Sequence, residues 1–197
     1  MSDRFGQRLK AGMGDKHSSN ILLLRPQMAK LPLPIQRYDD PFLPFSRAII
    51  EAAQPLVCGV VFDMAAYLAL GAAGAVAMER AIAFAGNRDL LTVLHAPFAT
   101  PDYAAATSAL AFAPDGVTVT DAALIPAYVL RHQSGVWVMG DAGADCEHSV
   151  FDVSLSSVKV VMPDHAPLIL RVAGDGVVYS GTGEDFAEQT ENALKRL

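Results

Sequence analysis

Short apolar runs that alternate with helical segments constrain this chain most. Such runs are typical of strands buried on both faces, and we predict strands at 21–24, 56–62, 90–95, 117–120 and 136–139, with further β character at 151–161, 167–172 and 177–180. The helices predicted among them cover 2–12, 45–53, 64–70, 72–85, 122–130 and 184–197, with another beginning after residue 100. This alternation indicates parallel βα units with right-handed crossovers.

Two α/β architectures fit this order, an open doubly wound sheet and a (β/α) barrel. A full barrel takes about 250 residues, and the chain has 197. Length alone therefore favours the open sheet.

Polar residues at the predicted strand ends are typical of helix caps. Asp63, Thr100 and Asp121 each precede a predicted helix, and N-capping explains all three. Thr182 and Asp185 resemble a capping box for the last helix.

Charge is distributed unevenly along the chain. Residues 1–47 carry 8 Lys/Arg against 4 Asp/Glu, whereas residues 48–197 carry 7 against 17. The acidic body argues against a nucleic-acid partner, because such a groove needs a basic surface. The basic segment is expected to pack on the acidic body or on a partner, with a phosphate-binding arm as the alternative.

Composition predicts one soluble domain over residues 1–197. Hydrophobic residues make up 52% of the chain, but no apolar run is long enough to span a bilayer, and no secretion signal is visible. We expect a cytoplasmic protein without a membrane partner. Of the two cysteines, Cys58 is expected in the core.

No metal or cofactor is expected. Asp145, Cys146 and His148 are potential ligands, but their spacing matches no standard zinc or calcium pattern. Between Leu31 and Leu194 the only lysine is Lys159, which excludes chemistry that needs two convergent lysines in the body of the fold.

Several stretches resemble the longer-chain bacterial orotidine 5′-phosphate decarboxylases. They include PFSRAIIEAA at 44–53, LVC at 56–58 and YLALG at 67–71, and they continue at 77–84, 92–94, 104–106, 116–119, 135–138 and 183–188. The resemblance implies a TIM-type barrel, a dimer and a link to pyrimidine metabolism. It divides the domain into residues 1–44, with the first helix, first strand and proline-rich connection, a main part, and a remodelled or deleted region over residues 140–182.

The residues that match the family's catalytic motifs have the wrong chemistry. The family removes carbon dioxide from a pyrimidine nucleotide without metal or cofactor, using an array of Asp and Lys that stabilises and protonates a carbanion. Its first-strand aspartate corresponds to Arg25 and its second-strand lysine to Val61. Its signature D-A-K-R-G-D corresponds to HAPFAT at 95–100, which lacks both aspartates and the proton-donating lysine.

The remaining family elements are also altered. The fourth-strand N-P-Y corresponds to TDA at 120–122, and Gly174-Asp175-Gly176 lies in the region of the phosphate loop, where Asp175 would repel a phosphate. The resemblance therefore predicts that decarboxylase activity is absent.

Two functional hypotheses follow. The first is a non-catalytic homologue, a pseudoenzyme, that acts by binding or assembly as a homodimer or as a heterodimer with an active decarboxylase. The second is a repurposed small-molecule enzyme with His95 as general base, Arg25 as anion clamp, and Asp63, Thr100 and Asp121 as ligand-binding candidates. Structural alternatives are a hydrogen-bonded His95 and an ion pair from Arg25 to Asp63 or Asp121.

Overall fold

A computed structural model describes residues 4–96, 100–108, 111–132, 135–139, 149–151, 157–160 and 168–197. Its strands are β1 (Asn20–Leu24), β2 (Gly59–Asp63), β3 (Leu91–His95), β4 (Gly116–Val119), β5 (Gly135–Met139), β6 (Ser149–Phe151), β7 (Ser157–Val160) and β8 (Leu168–Ala173). Its α-helices are α1 (Arg4–Lys16), α2 (Phe42–Ala53), α3 (Met64–Leu68), α4 (Gly71–Gly86), α5 (Ile125–His132), α6 (Asp175–Val178) and α7 (Phe186–Leu194).

The strands close into a barrel, which confirms the predicted α/β class. The open sheet that length alone favoured is therefore wrong. Strands β1 to β6 form a curled parallel sheet, and β8 pairs in parallel with β1. Strand β7 runs antiparallel to both β6 and β8. Antiparallel neighbours need no crossover helix, and none is described between β5 and β8. A barrel that contains an antiparallel strand needs fewer residues than the about 250 of a barrel with a helix after every strand.

Two predicted caps are confirmed. The backbone N–H of Ala66 donates to Oδ1 of Asp63 at 3.1 Å at the start of α3. The N–H of Ala123 donates to Oδ1 of Asp121 at 2.8 Å, where a short 3-10 helix leads into α5. Each aspartate thus satisfies an N–H group that has no partner within its helix.

The predicted cap at Thr100 is wrong. Its side chain makes no capping hydrogen bond, and the segment Pro101–Thr107 that follows is a 3-10 helix. The carbonyl of Thr100 instead accepts a hydrogen bond from the hydroxyl of Tyr128 at 2.6 Å.

Two predictions near the C-terminus are also wrong. The segment predicted as a strand at 177–180 lies partly in helix α6, where packing of Val178 and Tyr179 overrides their β propensity. The capping box at α7 does not form: the carboxylate of Asp185 accepts from Nε2 of Gln189 at 2.9 Å rather than from the backbone.

Side chains fill the barrel interior. Its cluster consists of buried residues from α1, from the strands and from the residue before β2, namely Leu9, Ile21, Leu23, Cys58, Val61, Leu91, Val93, Trp137 and Leu170. The ring of Phe5 on α1 packs edge-on against Trp137, with ring centroids 6.0 Å apart, and a Cβ atom on Gly135 would lie 2.4 Å from that ring. Helix α1 therefore closes the N-terminal end of the barrel, and the core position predicted for Cys58 is confirmed.

The basic N-terminal segment packs on the acidic body, as predicted. Ion pairs join Arg8 to Asp115, Arg25 to Asp63 and Lys30 to Asp175. Within the described ranges, no helix combines the length and the apolar character needed to cross a bilayer.

Candidate functional site

Polar side chains form one layer at the C-terminal end of the barrel, where parallel barrels carry their sites. Asp63 and His95 end β2 and β3 and are register partners, and Arg25 directly follows β1. Thr118 on β4 completes the layer. We call these four residues the rim layer; strand alternation places Val61, Val93 and the other interior side chains beneath it.

Of the two partners predicted for Arg25, Asp63 and Asp121, the structure pairs it with Asp63. Its Nε lies 3.1 Å from Oδ2 of Asp63, yet this buried nitrogen makes no aligned hydrogen bond. The Arg25 side chain is 40% exposed and that of Asp63 is 10% exposed. Because Oδ1 of Asp63 also caps α3, this carboxylate fixes both the helix and the guanidinium.

His95 is held by its neighbour on β4. Its Nδ1 lies 2.9 Å from Oγ1 of Thr118, which also accepts the N–H of Ala96 at 3.0 Å. Burial lowers the pKa of His95; the charge of Asp63 opposes this shift and that of Arg25 adds to it. The imidazole is therefore neutral at neutral pH.

This lowered pKa predicts a loss of stability in acid. The unfolded chain binds a proton at His95 near its ordinary pKa of 6.5 before the folded protein does, so stability falls as the pH drops below that value. We expect His95→Gln to flatten the dependence of the unfolding free energy on pH between about 7 and 5. Urea unfolding across this range, with His17→Gln as the matched control, measures it; equal slopes in all three proteins would contradict the assignment.

A cleft of about 470 Å³ opens beside the rim layer. It lies between the connection after β1 and helix α3, and its walls include Arg25, Gln27, Met28, Asp63, Ala65 and Ala69. His95 does not line this cleft. Neither do Thr100 and Asp121, both of which are exposed. The structure thus brings Arg25, Asp63 and His95 together and leaves Thr100 and Asp121 apart.

Tyr179 contributes to the site but was missed in the sequence. Its hydroxyl donates to the carbonyl of Arg25 at 2.7 Å and accepts the N–H of Gln27 at 2.9 Å. Asp175 holds the same connection, since its Oδ2 accepts from Nε2 of Gln27 at 3.0 Å and from Nζ of Lys30 at 2.9 Å. Tyr179 lies in a segment predicted as a strand, and no sequence feature indicated that its hydroxyl would bind the connection after β1. Thr118 was also missed, although strand alternation could have placed it inside the barrel.

Metal binding has no support among the described residues, where no group of three potential ligands comes together. The candidates Asp145, Cys146 and His148 lie outside the described ranges, as does Pro97 of the altered signature.

No family model matches the chain. The curated proteins and the solved structures that resemble it include orotidine 5′-phosphate decarboxylases. The chain is 38% identical over 79 residues to orotidine 5′-phosphate decarboxylase from Herpetosiphon aurantiacus, and 38% identical over 74 residues to that from Thermomicrobium roseum. These matches cover 40% and 38% of this chain but only 30% and 26% of the two relatives.

A solved structure matches over a longer range. A Streptomyces avermitilis protein assigned as an orotidine 5′-phosphate decarboxylase superimposes with a TM-score of 0.72 at 17% identity, covering 98% of this chain and 92% of its own. At that identity the match shows the fold alone.

Proposed function

This chain is related to the orotidine 5′-phosphate decarboxylases, and from that relationship we propose that it is a pseudoenzyme that acts by binding or assembly. One observation carries the proposal. Val61, which matches the family's second-strand lysine, is fully buried in the apolar barrel interior beneath the rim layer.

The charged groups of the rim layer do not replace the missing chemistry. Decarboxylation needs a cation beside the developing carbanion and an acid that protonates it. Arg25 is paired with Asp63, and a guanidinium does not release a proton in proteins. His95 is neutral because burial lowers its pKa, and a neutral imidazole is a very weak acid.

An uncharged helical surface supports assembly. Residues 64–78, which span α3 and the first half of α4, contain no charged side chain. Leu68 and Val76 are 38% and 41% exposed, and the alanines at 72 and 73 are exposed as well. We call these four exposed residues the alanine face.

A second copy of the chain is the partner that fits this face best. Each chain carries a net charge of −6, so two copies repel each other over most of their surfaces. The alanine face lets them meet around a two-fold axis without desolvating charges. An active decarboxylase is the alternative partner, in a heterodimer.

The region over residues 140–182 is proposed to be remodelled relative to the family, within a single domain of residues 1–197. The support is strand β7, which runs antiparallel where a TIM barrel would continue with parallel βα units.

A repurposed enzyme remains the second candidate. In its favour, the neutral imidazole of His95 could accept a proton at a barrel mouth. Against it, His95 is only 4% exposed and does not line the cleft that contains Arg25. If His95→Ala and Arg25→Ala both left a discovered activity unchanged, this candidate would be rejected.

The assembly proposal predicts a dimer that single charges disrupt. We expect analytical ultracentrifugation to give a dimer at about 10 μM for the wild-type protein and a monomer for Leu68→Glu and Val76→Glu, because an unpaired buried charge costs about 3–5 kcal/mol. Ile169→Glu, which changes an apolar residue that is 66% exposed on β8, is the matched control and should remain a dimer.

Two results would count against this proposal. One is a wild-type protein that stays monomeric both alone and when mixed with an active decarboxylase. The other is dimerisation that survives Leu68→Glu and Val76→Glu.

A further inference from the structure

The guanidinium of Arg25 lines the cleft and carries hydrogen-bond donors that its contact with Asp63 does not use. Its charge partner among the described residues is Asp63, which it contacts through Nε. Its terminal nitrogens make no hydrogen bond to the part of the chain that the structure describes, and the side chain is 40% exposed. Terminal guanidinium nitrogens bind a carboxylate in a planar, two-point arrangement.

Asp63 presents the complementary charge beside these donors. Its Oδ1 accepts the N–H of Ala66, while Oδ2 lies 3.1 Å from Nε of Arg25. Arg25 and Asp63 together carry no net charge, so a simple anion gains from one and loses to the other. A ligand with adjacent positive and negative groups gains from both.

Apart from Gln27, the remaining side chains in the wall of the cleft are apolar. Met28 is 50% exposed, Ala65 is exposed on α3 and Ala69 is exposed directly after it, so these side chains offer a surface for an apolar group. The cleft volume of about 470 Å³ lies within the range of small-molecule sites. An α-amino acid with an apolar side chain matches this site, because its carboxylate and ammonium groups complement the two charges and its side chain complements the apolar wall.

We propose that this cleft binds a free α-amino acid with an apolar side chain. Its carboxylate contacts the terminal nitrogens of Arg25, its ammonium group contacts Oδ2 of Asp63, and its side chain packs against Met28, Ala65 and Ala69. The inference goes beyond the proposed function and does not rest on it, because a chain with or without decarboxylase activity could carry this cleft.

Isothermal titration calorimetry with L-leucine tests the proposal. We expect saturable binding to the wild-type protein with a dissociation constant of about 1 mM or lower. N-acetyl-L-leucine lacks the ammonium group and L-leucinamide lacks the carboxylate, so each should bind at least about tenfold more weakly. Failure of L-leucine to saturate, or equal binding of either analogue, would overturn the proposal.

Variants locate the site. Arg25→Gln and Asp63→Asn, the latter of which keeps a capping side chain, should each weaken L-leucine binding by about tenfold or more. Arg171→Gln removes an exposed arginine on β8 and should leave binding unchanged. Ala69→Phe fills the cleft from the exposed position directly after α3 without replacing either member of the ion pair, and it should abolish binding while circular dichroism shows an intact fold. Unchanged binding in Arg25→Gln or in Ala69→Phe would place the ligand elsewhere and overturn the inference.

Discussion

Replacing Trp137 with alanine is expected to lower the free energy of unfolding by about 3–5 kcal/mol. This side chain is fully buried at the centre of the barrel interior, where it packs against Phe5 and the apolar strand residues. Its removal leaves a cavity that the surrounding strands can close only in part. Urea unfolding followed by far-UV circular dichroism measures the change, because Trp137 is the only tryptophan and the variant lacks its fluorescence.

Trp137→Phe is the graded control for this prediction. It keeps an aromatic ring in the interior and should cost clearly less than Trp137→Ala. A loss below about 1 kcal/mol for the alanine variant would mean that the interior is not close-packed, contrary to the structure.

Replacing Val61 with lysine restores the residue type that the family carries at this position. Here the ammonium group enters an apolar interior, so burial should lower its pKa below the usual value of about 10.4. We expect Val61→Lys to cost about 3–5 kcal/mol of unfolding free energy at pH 7. Val61→Met, which has similar length and no charge, is the control.

The pH dependence separates a buried charge from a packing defect. Between the lowered pKa of the folded state and about 10.4, the unfolded chain binds the proton more tightly, so the stability of Val61→Lys should rise with pH. Its deficit relative to Val61→Met should therefore shrink as the pH approaches 10. A deficit near zero at pH 7 would show that position 61 is open to water, as an active site would require.

Most of the correct predictions depend on interactions between residues that are close together in the chain. The apolar runs placed β1 to β5 to within a few residues, and Asp63 and Asp121 cap helices as their positions indicated. Such features depend on neighbours in the chain, which the sequence displays directly. The cap predicted at Thr100 was wrong because Pro101 begins a 3-10 helix rather than an α-helix.

Long-range contacts explain what the sequence could not predict. The hydroxyl of Tyr179 bonds to the backbone of Arg25 and Gln27 across more than 150 positions, and the ring of Phe5 fills space left by Gly116 and Gly135. The direction of β7 likewise depends on its pairing with β6 and β8. By contrast, a pair between Arg25 and Asp63 or Asp121 was predictable, because Arg25 follows β1 and both aspartates lie at the ends of other parallel strands on the same rim.

Release of labelled carbon dioxide from carboxyl-labelled orotidine 5′-monophosphate shows whether this chain catalyses the decarboxylation. With the Thermomicrobium roseum relative as positive control, this chain at high concentration should release no label above the uncatalysed background. We expect that result because Val61 occupies the lysine position in the apolar interior, the guanidinium of the rim layer is paired with Asp63, and the imidazole of the rim layer is neutral. Release that rises in proportion to the concentration of this chain would contradict it.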